Sequence, residues 1–120
     1  MKILVVDDNE DIVELMKNLL ESGGYDINTA TSGKECLNLI LKEKFDIVLL
    51  DVTMPEFSGL DVIQSLKYSG NLDKNKIILF TAASISDDEI EKWIKMGVKN
   101  CLRKPFDPST LFEAINIVSS

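Results

Sequence analysis

Histidine is absent from this sequence of 120 residues. No imidazole of the chain can act as general base, metal ligand or phosphoryl carrier. Any phosphohistidine taking part must come from another protein. Cysteine is scarce, with Cys36 and Cys101 alone. Their spacing is not that of a zinc site, so a reduced, cytoplasmic chain is expected. Bases are outnumbered, 13 against 20 acids, for a net charge of −7. That balance argues against direct nucleic-acid binding by this domain, which wants a basic face. It leaves open the regulation of a DNA-binding partner. No apolar run is long enough to span a bilayer. The first run, Ile3-Leu4-Val5-Val6, breaks at Asp7-Asp8 and is too short for a secretory signal. Repeats, low-complexity segments and linkers are also missing.

What remains is an ordinary globular balance, 45% hydrophobic and 28% charged, in a chain of one-domain length. The expected domain covers residues 1–120. Ile3–Val6, Ile47–Leu50 and Ile77–Phe80 are continuous apolar runs of strand length. Such runs suit strands buried on both faces of a parallel sheet. Weaker strand patterns lie at Tyr25–Ala30 and Asn100–Arg103. Between them the spacing is helical. The apolar positions are Ile12, Leu15, Met16, Leu19 and Leu20, then Leu37, Ile40 and Leu41, then Leu60, Ile63 and Leu66. Ile90, Trp93 and Ile94 follow, and Leu111, Ile115 and Val118 close the set. Gly23-Gly24 and Gly97 stop helices. Ser32 with Glu35 and Ser86 with Glu89 read as capping boxes, and Ser58 as a cap. Asp107 before Pro108 reads as an N-cap with proline at the first helical position. Five strands, each followed by a helix, imply a doubly wound α/β fold with a parallel sheet between helices.

Sites in such sheets lie at the carboxyl ends of the strands. Strand one ends in Asp7-Asp8, strand three in Asp51, strand four in Thr81 and strand five in Lys104-Pro105. Each has a plain alternative: Asp7-Asp8 as a helix cap, Asp51 as a turn residue, Thr81 as a strand end, Lys104 as a solvated lysine. Their joint placement on one edge favours a site. Three carboxylates brought together repel, and a hard divalent ion relieves them. Oxygen-only ligands favour Mg²⁺, or Mn²⁺, over Zn²⁺. A carboxylate beside such an ion can be the nucleophile of phosphoryl transfer. Lys104 can supply a positive charge to the phosphate, and Thr81 a hydroxyl donor.

Over its whole length the chain resembles a response-regulator receiver domain of two-component signalling, of the stand-alone chemotaxis type. The resemblance rests on Val5-Val6-Asp7-Asp8-Asn9 and on Val48 through Pro55 with Ser58-Gly59. Phe80-Thr81-Ala82 and Lys104-Pro105-Phe106 complete it. It implies a flavodoxin-like fold of five strands, order 2-1-3-4-5, with five helices. It implies that Asp51 is the phosphoacceptor and that Asp7, Asp8, Asp51 and the Thr53 backbone carbonyl hold Mg²⁺. Thr81 would swing toward the phosphoryl group, Lys104 would pair with it, and Lys104-Pro105 would be cis. The donor would be a sensor histidine kinase, a histidine phosphotransfer protein or a small molecule such as acetyl phosphate. A downstream protein or output domain would read the face of the fourth helix, fifth strand and fifth helix. Homodimerisation through that face is a further alternative. Such a domain is a switch and does not turn over a separate substrate.

One position departs from the family pattern. Where an aromatic ring is usual, three residues before the lysine, the chain has Cys101. Normal phosphorylation with a small change at that face is therefore expected, with Trp93 and Phe112 as candidate substitutes in the readout. Ala83, two past Thr81, offers no polar group to orient an attacking water, which implies slow self-dephosphorylation. Rival readings fit less well. A dehalogenase-type phosphatase wants a second acid at position 53, where Thr53 stands. A flavin or nucleotide binder wants a Gly- or Ser-rich loop after strand one, where Asp7-Asp8-Asn9-Glu10 repels phosphate. A receiver-like module without chemistry would not need every one of these residues.

Overall fold

The computed structural model describes residues 1–119; Ser120, the last residue of the expected domain, lies outside the described residues. The strands are β1 (Lys2–Val6), β2 (Asp26–Ala30), β3 (Ile47–Asp51), β4 (Ile77–Thr81) and β5 (Asn100–Arg103). The helices are α1 (Glu10–Ser22), α2 (Gly33–Lys42), α3 (Gly59–Tyr68), α4 (Asp87–Met96) and α5 (Pro108–Ser119), with a 3-10 turn at Leu72–Lys74. All pairings are parallel, in the order β2-β1-β3-β4-β5. This is the flavodoxin-like architecture the sequence implies.

The middle strands are apolar throughout because helices cover both of their faces. Leu4, Val6, Val48, Leu50, Ile77 and Leu79 pack with α2, α3 and α4. Their neighbours Ile3, Val5, Ile47, Leu49, Ile78 and Phe80 pack with α1 and α5. Burying each such aliphatic side chain contributes roughly 1.5–3 kcal/mol. The edge strands β2 and β5 are only partly buried, which is why their apolar signal is weaker.

The helices follow their predicted spans, but several faces are rotated. In α1 the buried positions are Val13, Met16 and Leu20, while Leu15 is 69% exposed. The predicted stripe straddled this narrower one, and Ile12 and Leu19 flank it. In α2, Cys36 takes the core position expected of Leu41, which is exposed. In α4, Trp93 is core and Ile94 is exposed. Phe112 turns toward the opposite side of the sheet from α4 and stacks on Tyr25 at 6.3 Å. Neither aromatic therefore stands on an exposed readout face.

Helix starts are also refined. The N-cap of α1 is Asn9, whose Oδ1 accepts from the Asp11 and Ile12 amides, so Asp7 and Asp8 are free of capping. Ser58 and Asp61 form a full capping box. Ser32 accepts from the Glu35 amide, but the Glu35 carboxylate reaches back to the Thr31 amide, one residue beyond the box. Ser86 accepts from the Glu89 amide, with no return bond among the described residues. Both cysteines are free thiols.

Candidate functional site

The register sets the site. Val6 pairs with Leu50, so Asp7 emerges beside Asp51. Asp51 pairs with Phe80, and Thr81 follows one step on. Thr81 pairs with Arg103, and Lys104 comes next. The strand order reverses between β1 and β3, which is where ligands bind in such sheets. The acids therefore meet at the switch point.

Asp7, Asp8 and Asp51 each offer a carboxylate oxygen within 4.8 Å of the others. Asp7 and Asp51 are buried, at 2% and 5% exposure, while Asp8 is exposed. Lys104 Nζ donates to Asp51 Oδ1 at 3.1 Å and lies 3.5 Å from Asp7 Oδ2. The Asn9 amide donates to Asp7 Oδ1 at 3.0 Å, and the Thr53 backbone, close by, favours the charged form of Asp51. Thr81 is 3% exposed. Its hydroxyl makes no hydrogen bond to Asp51 or Lys104 among the described residues. Lys104-Pro105 is cis.

Three carboxylates and one ammonium leave a formal charge of −2 in this pocket. Two like charges at such a separation repel by about 3 kcal/mol at an effective dielectric near 20. Burial and charge both act on the titration of the groups. Burial, the largest influence, raises the Asp51 pKa; the Lys104 hydrogen bond opposes this and the Asp7 charge adds to it. Burial works against the Lys104 ammonium, but its bond to Asp51 and the charges of Asp51 and Asp7 hold its pKa above the ordinary lysine value. The donor set is all oxygen, partly open to solvent at Asp8, and two charges short of neutrality. It could hold a hard divalent ion.

The structure thus brings together Asp7, Asp8, Asp51 and Lys104 as read from the sequence, with Thr81 at the adjoining strand end and Thr53 on the exposed loop beside Asp51. Sequence reasoning gave no structural role to three supporting residues. Gly59 starts α3 against the backbone of Asp51 and Val52; its place just after a serine cap was the available signal. Glu56 holds a φ of +66° in the β3–α3 loop, where the Phe57 amide closes on the Pro55 carbonyl at 2.7 Å. Arg103, taken only as a strand residue, bonds to the β4–α4 loop. Beside the acids an apolar groove of about 440 Å³ runs between α1 and the β5–α5 loop, past Ile12, Leu15, Phe106 and Pro108.

Fold and site together define a doubly wound domain with an acid pocket at the switch point of its sheet. The chain belongs to the response regulator receiver domain family, which it matches over residues 3–116. It is 34% identical over 119 residues to the chemotaxis protein CheY of Thermotoga maritima, covering 98% of this chain and 97% of that one. It is 39% identical over 114 residues to the response regulator SaeR of Staphylococcus aureus, covering 95% of this chain. It spans only 48% of SaeR's length. Among solved structures, the Francisella response regulator 1452 receiver domain superposes with a TM-score of 0.89 at 30% identity, covering 98% of this chain and 95% of that one. Among the described residues, no helix is long and apolar enough to cross a membrane.

Proposed function

We propose that this receiver domain accepts a phosphoryl group on the carboxylate of Asp51 and signals by the change in shape that follows. Asp7, Asp8, Asp51 and the Thr53 carbonyl would hold Mg²⁺, or Mn²⁺ in its place. When bound, the ion supplies charge neutralisation for the acids and for the incoming phosphate oxygens. An Asp51 oxygen attacks phosphorus, and the bond from phosphorus to the donor's leaving group breaks. With a phosphohistidine donor, the freed imidazole nitrogen takes up a proton. Lys104 then pairs with a phosphate oxygen, and Thr81 donates its hydroxyl to another. The donor is a sensor histidine kinase or a phosphotransfer protein, and the reader is a downstream protein or an output domain at the α4–β5–α5 face. No separate substrate is turned over.

The convergence of three carboxylates within 4.8 Å, with Lys104 at 3.1 Å from Asp51, carries this reading. A metal-binding module alone would have no use for the ammonium, which competes with the ion for the same oxygens. The decisive test is intact mass after incubation with Mg²⁺ and acetyl phosphate. Wild type should gain one phosphoryl group that hydroxylamine removes, and Asp51→Asn should gain none. If wild type gains no mass and also fails to bind beryllofluoride, the domain is a receiver-like binding module.

A further inference from the structure

Arg103 is the only arginine of the chain, and the site described above does not use it. It ends β5, opposite Thr81 in the register and next to Lys104. Its guanidinium reaches the β4–α4 loop (residues 82–86). Nε and Nη2 donate to the Ile85 carbonyl at 3.2 and 3.1 Å. Nη2 also donates to the Asp87 carboxylate in the first turn of α4. One rigid fork thus holds the end of the loop and the start of the helix together. The rest of the loop is lightly held. Ala82, Ala83 and Ser84 are exposed, and the Ile85 amide closes a turn on the Ala82 carbonyl at 3.2 Å.

We propose that Arg103 is a latch that holds the β4–α4 loop in its resting position and opposes the approach of Thr81 to a phosphoryl group on Asp51. This positioning role rests on the reading of Asp51 as phosphoacceptor. The Thr81 hydroxyl makes no hydrogen bond to Asp51 or Lys104 among the described residues, so donating to a phosphate oxygen requires its side chain to turn, and the loop that follows it to adjust. The Thr81 carbonyl stays bonded to the Lys104 amide at 2.7 Å, so β5 and Arg103 keep their place while the exposed loop after Thr81 shifts against them. The contacts to Ile85 and Asp87 are therefore made in one state and weakened in the other. Only such differential contacts move a switching equilibrium. Cys101 packs against the core beneath α4 and offers no comparable tie to the loop.

The test is the affinity for beryllofluoride in the presence of Mg²⁺, followed by ¹⁹F NMR. Wild type, Arg103→Ala, Arg103→Lys and Asp87→Asn are compared. Removing the latch favours the state with Thr81 inward, so Arg103→Ala should bind about tenfold more tightly, the scale of a hydrogen bond to a charged group. Asp87 is 93% exposed, so Asp87→Asn should tighten binding by only about twofold. Arg103→Lys keeps a charge near Asp87 but loses the fork on Ile85, and should lie between wild type and alanine. A merely structural arginine would leave affinity unchanged or lower it. Equal or weaker binding by Arg103→Ala, with its thermal unfolding still cooperative, overturns the latch alone. Failure of all four proteins to bind overturns the Asp51 reading, and the latch with it.

Discussion

At the carboxyl edge of the sheet, α2 and α3 begin with Gly33 and Gly59. A Cβ added at Gly33 would meet the Phe57 carbonyl, and one at Gly59 the Asp51 carbonyl, with the Val52 Cα at 2.9 Å. At the amino edge, Gly24 and Gly70 would meet nothing within 4 Å, although both hold positive φ. At the carboxyl edge backbone leaves no room for a methyl; at the amino edge Gly24 and Gly70 serve the turn, and Gly23 and Gly97 are crowded only by the side chains of Phe112 and Leu72. Charge divides the same way. The carboxyl edge buries Asp7 and Asp51 beside a single lysine. The amino edge carries Lys42, Lys44, Lys74 and Lys76 around two adjoining hollows of about 460 and 390 Å³. No ion pair engages these four among the described residues. Neither of these hollows borders the acid pocket. An exposed lysine is solvated at little cost, whereas a buried carboxylate is not. The difference teaches that this fold gathers its costly buried charges at one end and leaves those of the other end in solvent.

Substitutions at the two edges should therefore differ in size and even in sign. Gly59→Ala, like Gly33→Ala, should be the most severe, because backbone rather than a flexible side chain blocks the new methyl. A loss of about 3 kcal/mol is expected by denaturant unfolding, while Gly70→Ala should lose less, through its φ alone. Asp51→Asn should act in the opposite direction on stability. Burial raises the Asp51 pKa, so the native state holds this proton more tightly than the unfolded chain. Stability therefore falls as pH rises from the ordinary value of 3.8 through the raised native one. Above that window the metal-free Asp51→Asn protein should melt a few degrees higher than wild type, on the order expected for 1 kcal/mol. Below it the two should converge, and a difference that does not change with pH would contradict the argument. Mg²⁺ at ten times its Kd should stabilise wild type by about 1.4 kcal/mol and the variant by less. The smallest effect belongs to the amino edge. Lys44→Ala with Lys74→Ala should change stability by no more than about 0.5 kcal/mol and leave phosphoryl uptake unaltered. A large loss there would break the contrast.

Much of this was legible in the sequence because burial on two faces writes itself as continuous apolar runs. Ile47–Leu50 reads as an inner strand, and its end located Asp51 without any geometry. The acids of the pocket followed from the rule that sites gather at strand ends. What stayed hidden depends on rotation and reach. Helical spacing says that α1 is amphipathic, but Leu15 and Val13 are two residues apart, and only packing decides which is buried. The span of Arg103 to Ile85, 18 residues back, has no local signal. Nor has the approach of Gly59 to Asp51, since glycine after a serine cap reads as an ordinary helix start.

Trp93 is the single tryptophan of the chain. It lies at 6% exposure on α4, in the core cluster between the helices and the sheet on that side. The helix that begins at the Arg103 contact therefore carries the molecule's own fluorophore. Any rearrangement that loosens this packing will move the indole toward water and shift its emission to the red. The proposed switch can therefore be followed in a stopped-flow cell with no dye attached.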